Sequence, residues 1–131
     1  MAQEELKERY REAMPLIAEL LHIQTTFAGK VKLVDEAGKV NAKALGYIYG
    51  LTDCALQIAK LDVGSEYGSG LLMALIMEFD EPRADALFDY LKVPGDPATL
   101  MEGVHLGFDD YNAWARSEGA VPPLRWAKCF N

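Results

Sequence analysis

Cysteine and histidine are both scarce in this sequence, which contains two of each among 131 residues. Cys54 and Cys129 form no Cys-x-x-Cys or mixed Cys/His pattern, which excludes a zinc-ribbon type of site. Two cysteines in a chain able to build a hydrophobic core are usually buried free thiols, with a single disulfide as the alternative. No histidine flanks either cysteine, and the sequence therefore contains no evident nucleophile–base pair for covalent catalysis.

Long hydrophobic runs are also missing. The longest covers residues 71–77, whereas a membrane-spanning helix needs about 20 apolar residues. The N-terminal segment is charged and lacks the apolar stretch of a secretory signal. Basic residues are outnumbered, with 13 Lys and Arg against 20 Asp and Glu and a net charge of −7, which disfavours broad nucleic-acid binding. We therefore expect a cytoplasmic protein that binds neither membranes nor nucleic acids.

What the sequence does contain is an ordinary globular composition, 50% hydrophobic and 25% charged. A chain this apolar can bury enough surface to offset the entropy lost on ordering. One core of this length should bury roughly two-thirds of the surface of the unfolded chain. No internal repeat or linker divides it. We predict a single helical domain over residues 1–131.

Apolar periodicity predicts five helices, at about 2–24, 41–62, 65–79, 80–92 and 96–116. The second and third are apolar on nearly all sides, which is typical of central helices that pack on each other. The other three carry one apolar stripe each, and Pro15 is expected to kink or divide the first. The sequence therefore predicts an all-α bundle of about five helices with two central apolar ones.

The finer packing pattern can also be predicted. Residues 30–40 alternate around a turn-like cluster, which fits a short β-hairpin or an irregular loop. The second helix carries small residues four positions apart that would let another backbone come close: Ala42, Gly46, Gly50 and Cys54. The predicted buried stripe of the fifth helix is Leu100, Met101, Val104, Gly107, Phe108, Tyr111 and Ala115. The tail should fold back through Leu124, Trp126 and Phe130.

Two Glu-x-x-His motifs are the sharpest candidates for chemistry: Glu19 with His22, and Glu102 with His105. Asp109 extends the second motif by one turn. Such motifs on two helices, with further carboxylates, hold metals in ferritin-like bundles when every ligand points inward. Helical geometry places both motifs on outward faces, and we expect exposed side-chain pairs and no cofactor. Glu102, His105 and Asp109 remain the candidates for a surface metal site.

The glycine-rich stretch 64–70 precedes an apolar helix, where a backbone nest could bind phosphate. No Lys follows it, no strand precedes it, and Glu66 within it would repel an anion. We therefore interpret this stretch as a helix cap that also allows close packing.

Asp53 lies with Tyr49 in the otherwise apolar second helix. A buried carboxylate must be paired or hydrogen-bonded, or its pKa rises. We interpret Asp53 and Tyr49 as a buried polar anchor. The alternative is the floor of a pocket in a small metal- or ligand-dependent enzyme.

Acidic residues are concentrated in one segment of the chain. Residues 62–110 hold eleven Asp and Glu against two Lys and Arg, whereas residues 1–61 are neutral. Such a segment is either a solvated surface that aids solubility or a patch that steers a basic partner. The candidate contacts of such a patch are Glu78, Asp80, Glu81, Asp85, Asp89 and Asp96.

Residues 46–53, GYIYGLTD, resemble the G-Y-[IV]-x-G-x-x-D segment of the Tai-type immunity proteins, which neutralise amidase toxins of bacterial type VI secretion. The likeness covers eight residues and assigns no family; what it implies is a small helical inhibitor. We predict a non-enzymatic, soluble helical binding protein whose acidic surface over 62–110 contacts a protein partner, or one that binds its own copy. The alternative is the enzyme with a pocket near Asp53 or a Glu-x-x-His site.

Overall fold

Six α-helices make up most of the computed structural model, which describes residues 2–130. They are α1 Gln3–Ala28, α2 Ala42–Ile58, α3 Glu66–Asp80, α4 Ala84–Lys92, α5 Pro97–Arg116 and α6 Arg125–Lys128. A single 3-10 turn, Glu81–Arg83, joins α3 to α4. The predicted all-α bundle is confirmed, and the predicted fifth helix ends at Arg116 as expected. The described residues include no helix long and apolar enough to cross a membrane.

Three helices begin where a side chain supplies an acceptor for a free backbone amide. Asn41 accepts a hydrogen bond from the Ala44 amide at 3.0 Å. Ser65 accepts from the Gly68 amide at 3.0 Å, and Asp96 from the Thr99 amide at 3.2 Å. These bonds satisfy donors that have no partner within the first helical turn. The predicted starts of the second helix near residue 41 and of the fifth near residue 96 are therefore confirmed.

The first helix is longer than predicted. It continues through Pro15 to Ala28, four residues beyond the expected end. Pro15 lies on the exposed side of α1, where it does not divide the helix. Ile17, Leu21 and Gln24 form its most deeply buried side.

Of the two alternatives for residues 30–40, the structure shows the irregular loop and no regular β-hairpin strands among these residues. In the described chain the loop contains one isolated antiparallel bridge, between Val34 and Val40. The carboxylate of Asp35 accepts hydrogen bonds from the amides of Ala37 at 2.9 Å and Lys39 at 2.8 Å. Since these amides bind a side chain, a regular ladder does not extend through the turn.

The closest helix contact joins α2 to α5 through glycines on both helices. A Cβ added to Gly46 would lie 3.0 Å from the Val104 amide nitrogen, and one added to Gly50 would lie 2.7 Å from the Val104 carbonyl carbon. From the other side, a Cβ on Gly103 would lie 2.8 Å from the Lys43 carbonyl carbon. The two backbones therefore touch, as the row of small residues on α2 predicted. Gly46, Gly50, Gly103 and Gly107 together form this contact, the glycine seam.

The helices and residues in contact at the glycine seam differ from those predicted. The close partner of α2 is α5 rather than α3, because the glycines allow the nearest backbone approach. The buried side of α5 is rotated relative to the prediction, since Met101 is 46% exposed while Asp110 is buried. Helix α2 is central, as its apolar sequence predicted, with Tyr47 and Leu51 fully buried, although Ile58 at its end is 52% exposed.

The C-terminal segment folds back on the bundle, as predicted. Trp126 is fully buried and donates its indole N–H to the Ala44 carbonyl at 3.1 Å. Its ring also packs edge-on against Phe79 at 5.0 Å and Phe130 at 5.1 Å between centroids. Leu124 contributes less than expected because it remains 38% exposed.

Candidate functional site

Two of the six acidic candidates are engaged within the chain. The Glu78 carboxylate lies 3.3 Å from the His22 imidazole of α1. The Asp80 carboxylate lies 3.1 Å from the Arg83 guanidinium, and only 10% of its side chain is exposed. Both groups therefore join neighbouring parts of the bundle and are less available to a partner.

Asp96 has a capping role. Its carboxylate receives the hydrogen bonds of Thr99, which lower the pKa of Asp96, and Lys39 lowers that pKa further. The Asp96 amide also donates to the Tyr90 hydroxyl at 2.9 Å. These contacts orient the exposed Asp96 side chain at the start of α5, where it caps the helix.

The remaining three acidic candidates form an exposed acidic row, defined here as Glu81, Asp85 and Asp89. They follow one another at four-residue intervals through the 3-10 turn and α4. In the part of the chain that is described, no cationic group lies within 4.0 Å of Glu81 or Asp85, and Asp89 has Lys92 at 3.8 Å. Val93 follows one turn later and is 82% exposed. The row thus presents three carboxylates, of which one has a cationic neighbour, beside an exposed apolar side chain.

The Glu-x-x-His motifs do not converge. His22 contacts Glu78 and stacks near the Phe79 ring at 4.7 Å, instead of pairing with Glu19 of its own helix. Glu102, His105 and Asp109 are all exposed on α5. Within residues 2–130, no group of three or more His, Cys, Asp or Glu side chains is gathered in a way that could hold a metal ion.

Asp53 and Tyr49 are half-buried, and the expected buried anchor lies elsewhere. The Asp53 carboxylate accepts a hydrogen bond from the Gln57 amide group at 3.0 Å, one turn along the same helix. Burial raises the pKa of Tyr49, and the negative charge of Asp53 raises it further. Partial exposure to water removes the need for a tertiary partner at Asp53.

The buried carboxylate is that of Asp110 on α5, which is 8% exposed. It accepts hydrogen bonds from the Tyr47 hydroxyl at 2.6 Å, the Arg125 side chain at 2.6 Å and the Arg125 amide at 3.1 Å. Gln24 of α1 donates to the same Tyr47 hydroxyl at 3.2 Å and accepts from the Ala127 amide. This network ties α1, α2, α5 and α6 together.

Tyr47 is held neutral in this network. Its pKa is raised strongly, first by burial and then by the hydrogen bond and charge of Asp110. Sequence reasoning missed Asp110, although it lies seven residues after Gly103 and therefore shares the face of the glycine seam. The network holds the C-terminal segment against the bundle.

Both thiols are free, and both are held in the protonated form. Burial raises the pKa of Cys54 to about 11 and that of Cys129 to about 11. Cys54 is 1% exposed, and the Cys129 sulfur lies 3.5 Å from the Arg125 carbonyl oxygen, to which it donates. A thiol with a raised pKa is a poor nucleophile at neutral pH, because the thiolate is the reactive form.

The glycine-rich stretch 64–70 is the cap that was expected. The Gly64 amide donates to the Asp62 carboxylate at 2.8 Å. Ser65 caps α3, and its hydroxyl also contacts the Asp62 carbonyl and the Tyr10 hydroxyl. A Cβ on Gly68 would lie 2.7 Å from the Val63 Cα, which leaves no room for a larger residue. The stretch therefore serves helix capping and close packing.

An open cleft of about 800 Å³ lies at the C-terminal end of α4. The acidic row begins at the opposite end of this helix, with Glu81. Its walls come from the loop before α2, the end of α4, the start of α5 and the C-terminal segment. Three lysines line it: Lys30, Lys32 and Lys39. The apolar part of the wall consists of Val40, Ala42, Tyr90 and Phe130. Asp53 is not among the lining residues, and the cleft was not predicted.

Comparisons with known proteins give no likeness from which a function could be transferred. No protein-family model, no curated protein and no solved structure matches this chain. Functional inference therefore rests on the geometry described above.

Proposed function

We propose that this chain is a non-enzymatic binding protein whose acidic row contacts a positively charged protein partner. The observation that carries the proposal is the exposure of Glu81, Asp85 and Asp89 at regular spacing, with little compensation by nearby cations. Val93 adds an exposed apolar contact next to the row. The matching partner surface has several Lys or Arg side chains around a shallow apolar recess.

Charge of this kind acts mainly on encounter and orientation. Exposed carboxylates are screened over about 8–10 Å at physiological salt, and each ion pair formed at the rim contributes little affinity. A row of three nevertheless produces a local field that steers a basic partner and disfavours acidic ones. We therefore expect a high association rate and an affinity that falls as the salt concentration rises.

A binding role is favoured over catalysis by the state of the reactive groups. Both thiols have a pKa raised to about 11, which keeps them protonated near neutral pH. His22 is paired with Glu78, and His105 lies exposed on α5. These placements support contact with a partner through the surface rather than nucleophilic chemistry.

The test is affinity capture from a lysate of the source cells, with wild-type protein and the triple variant Glu81→Gln, Asp85→Asn, Asp89→Asn as baits. All three side chains are exposed, and their neutralisation should leave the fold intact. We expect at least one basic protein that is retained by wild type, released by salt and lost with the triple variant.

The matched control neutralises three exposed glutamates outside the row: Glu12→Gln, Glu19→Gln and Glu102→Gln. This control changes the net charge by the same amount. Retention of the partner by the control but not by the row variant supports the proposal. Equal loss with both variants, or equal retention with both, contradicts it.

A second copy of the chain is the other candidate partner, and one observation favours it. Leu16, Ile23 and Phe27 are 39%, 49% and 64% exposed. Their spacing places them along a single side of α1, where they form an exposed apolar row. Sedimentation equilibrium of wild type and Phe27→Ser would test this: concentration-dependent dimers that the substitution abolishes support self-association, and a monomer throughout excludes it.

A further inference from the structure

We propose that the lysine-lined cleft binds a small organic anion that combines a negatively charged group with a flat apolar body. This site goes beyond the proposed protein-binding role. The residues of the acidic row do not line the cleft. The two proposals can therefore fail independently.

The cations in the cleft are available to a ligand. Lys30 and Lys39 are exposed, and no carboxylate lies within 4.0 Å of either ammonium in the described chain. Lys32 has a single partner, Glu36 at 3.4 Å, and 91% of the Glu36 side chain is exposed to water. An ion pair exposed in this way exchanges readily for another anion.

The two carboxylates of the cleft are already engaged. Asp35 accepts from two backbone amides of its own turn, at 2.9 and 2.8 Å. Asp96 accepts from the Thr99 amide at the start of α5. One oxygen of each carboxylate therefore serves the backbone, and the three lysines outnumber the two carboxylates in the lining of the cleft.

The floor and wall supply the apolar part of the recognition. Val40, Ala42 and Phe130 line the cleft together with the ring of Tyr90. The Tyr90 hydroxyl accepts from the Asp96 amide at 2.9 Å, which leaves its own hydrogen available to donate to a ligand. A volume of about 800 Å³ lies within the range of about 300–1,000 Å³ that small-molecule sites occupy.

These features together specify the class of ligand. Lysine is a point charge with three donors and suits carboxylate, sulfonate or phosphate groups without demanding a planar partner. The aromatic and aliphatic wall suits a ring or a short hydrocarbon body. A purely inorganic anion would contact the lysines but not the apolar wall. A neutral ring would contact the apolar wall but not the lysines.

The experiment is a titration followed by amide NMR, with 1-naphthalenesulfonate as the probe. Methanesulfonate carries the same charge without the rings, and 1-naphthalenemethanol carries the rings without the charge. We expect saturable shifts of amides around the cleft with 1-naphthalenesulfonate, and at least several-fold weaker binding of the other two compounds.

The double variant Lys30→Gln, Lys39→Gln should weaken binding of 1-naphthalenesulfonate by about three- to tenfold, since each exposed charge contributes modestly. Its control, Arg11→Gln with Lys92→Gln, removes two exposed cations outside the cleft and should leave binding unchanged. Thermal melting confirms that both double variants are folded.

Three results would overturn the proposal. One is the absence of saturable shifts in the cleft, and another is binding that the Lys30 and Lys39 substitutions do not change. The third is an acidic peptide of glutamates that occupies the same amides more tightly than the aromatic probe, because this would assign the cleft to a protein segment.

Discussion

Gly50→Ala is the perturbation that reports most directly on the glycine seam. The added Cβ would lie 2.7 Å from the Val104 carbonyl carbon and 2.9 Å from its Cα. Backbone atoms on the partner helix cannot rotate away as a side chain can. Relief therefore requires α2 and α5 to separate, which loosens the contact on both sides of the substitution.

The size of the effect follows from two opposing terms. Overpacking of a tight contact costs about 1–3 kcal/mol, and backbone contacts put this position at about 3 kcal/mol or above. Replacing a helical glycine by alanine returns about 1 kcal/mol through helix propensity. The net expectation is destabilisation by about 2 kcal/mol or more, which lowers the melting temperature of a chain of this size by about 6 °C or more.

Gly70→Ala is the matched control. Gly70 lies inside α3, and an added Cβ there would meet nothing within 4 Å. This variant receives only the propensity gain and should be stabilised by about 0.5–1 kcal/mol. The two variants, compared by calorimetry and urea unfolding, should shift in opposite directions. If Gly50→Ala is as stable as Gly70→Ala, the tight contact of α2 with α5 is refuted.

Three further predictions concern the buried polar groups. Tyr47→Phe removes the hydroxyl that donates to Asp110 and should cost about 1–3 kcal/mol in urea unfolding, because a buried acceptor loses a partner; no change would mean that water replaces the hydroxyl. Asp110→Ala should lower the free energy of unfolding by about 3 kcal/mol, since it breaks a buried charged network. Asp53→Ala, at a half-exposed site, should change it by no more than about 0.5 kcal/mol. Comparable losses of stability for the two variants in thermal melts would contradict the burial of Asp110 and the exposure of Asp53. The pKa of Cys54 and of Cys129 is raised to about 11 in the fold, above about 8.5 in the unfolded chain. The folded state therefore keeps protons that the unfolded state releases, and stability should fall as the pH rises from about 9 to 11. A melting temperature that is constant over this range would count against the burial of the thiols.

Local features of the sequence were sufficient to predict most of the helices. Asn41 and Asp96 can cap a helix wherever the rest of the bundle lies, and apolar periodicity is carried by the segment itself. The row containing Gly46 and Gly50 correctly indicated a close backbone approach. The row did not identify the helix that packs against it, because any helix with small residues on one face could make this contact.

The misjudged positions depend on distant parts of the chain. Asp53 was expected to be buried because its neighbours are apolar, yet it lies half-exposed on α2. Asp110 was overlooked because its stabilisation comes from Tyr47 and Arg125, which are far from it in the sequence. Side-chain burial of a polar residue follows from tertiary partners rather than from local hydrophobicity.

The grouping of the lysines in the cleft also depends on distant parts of the chain. The first part of the chain is neutral on average, which concealed the lysines of the loop. Their grouping with Tyr90 and Phe130 arises only when the loop, α4 and the C-terminal segment meet. The acidic segment, in contrast, was visible because its carboxylates lie within one stretch of the sequence. Only the structure shows that Glu78, Asp80 and Asp96 make contacts within the chain.

The most direct test of the binding role is a titration of the captured partner against purified protein by calorimetry at about 50 and about 500 mM salt. The account predicts that affinity falls about tenfold or more with salt, and by a similar factor at low salt when Glu81, Asp85 and Asp89 are neutralised. The control with neutral residues at 12, 19 and 102 should bind as wild type does. An affinity that responds neither to salt nor to the acidic row would contradict the central claim.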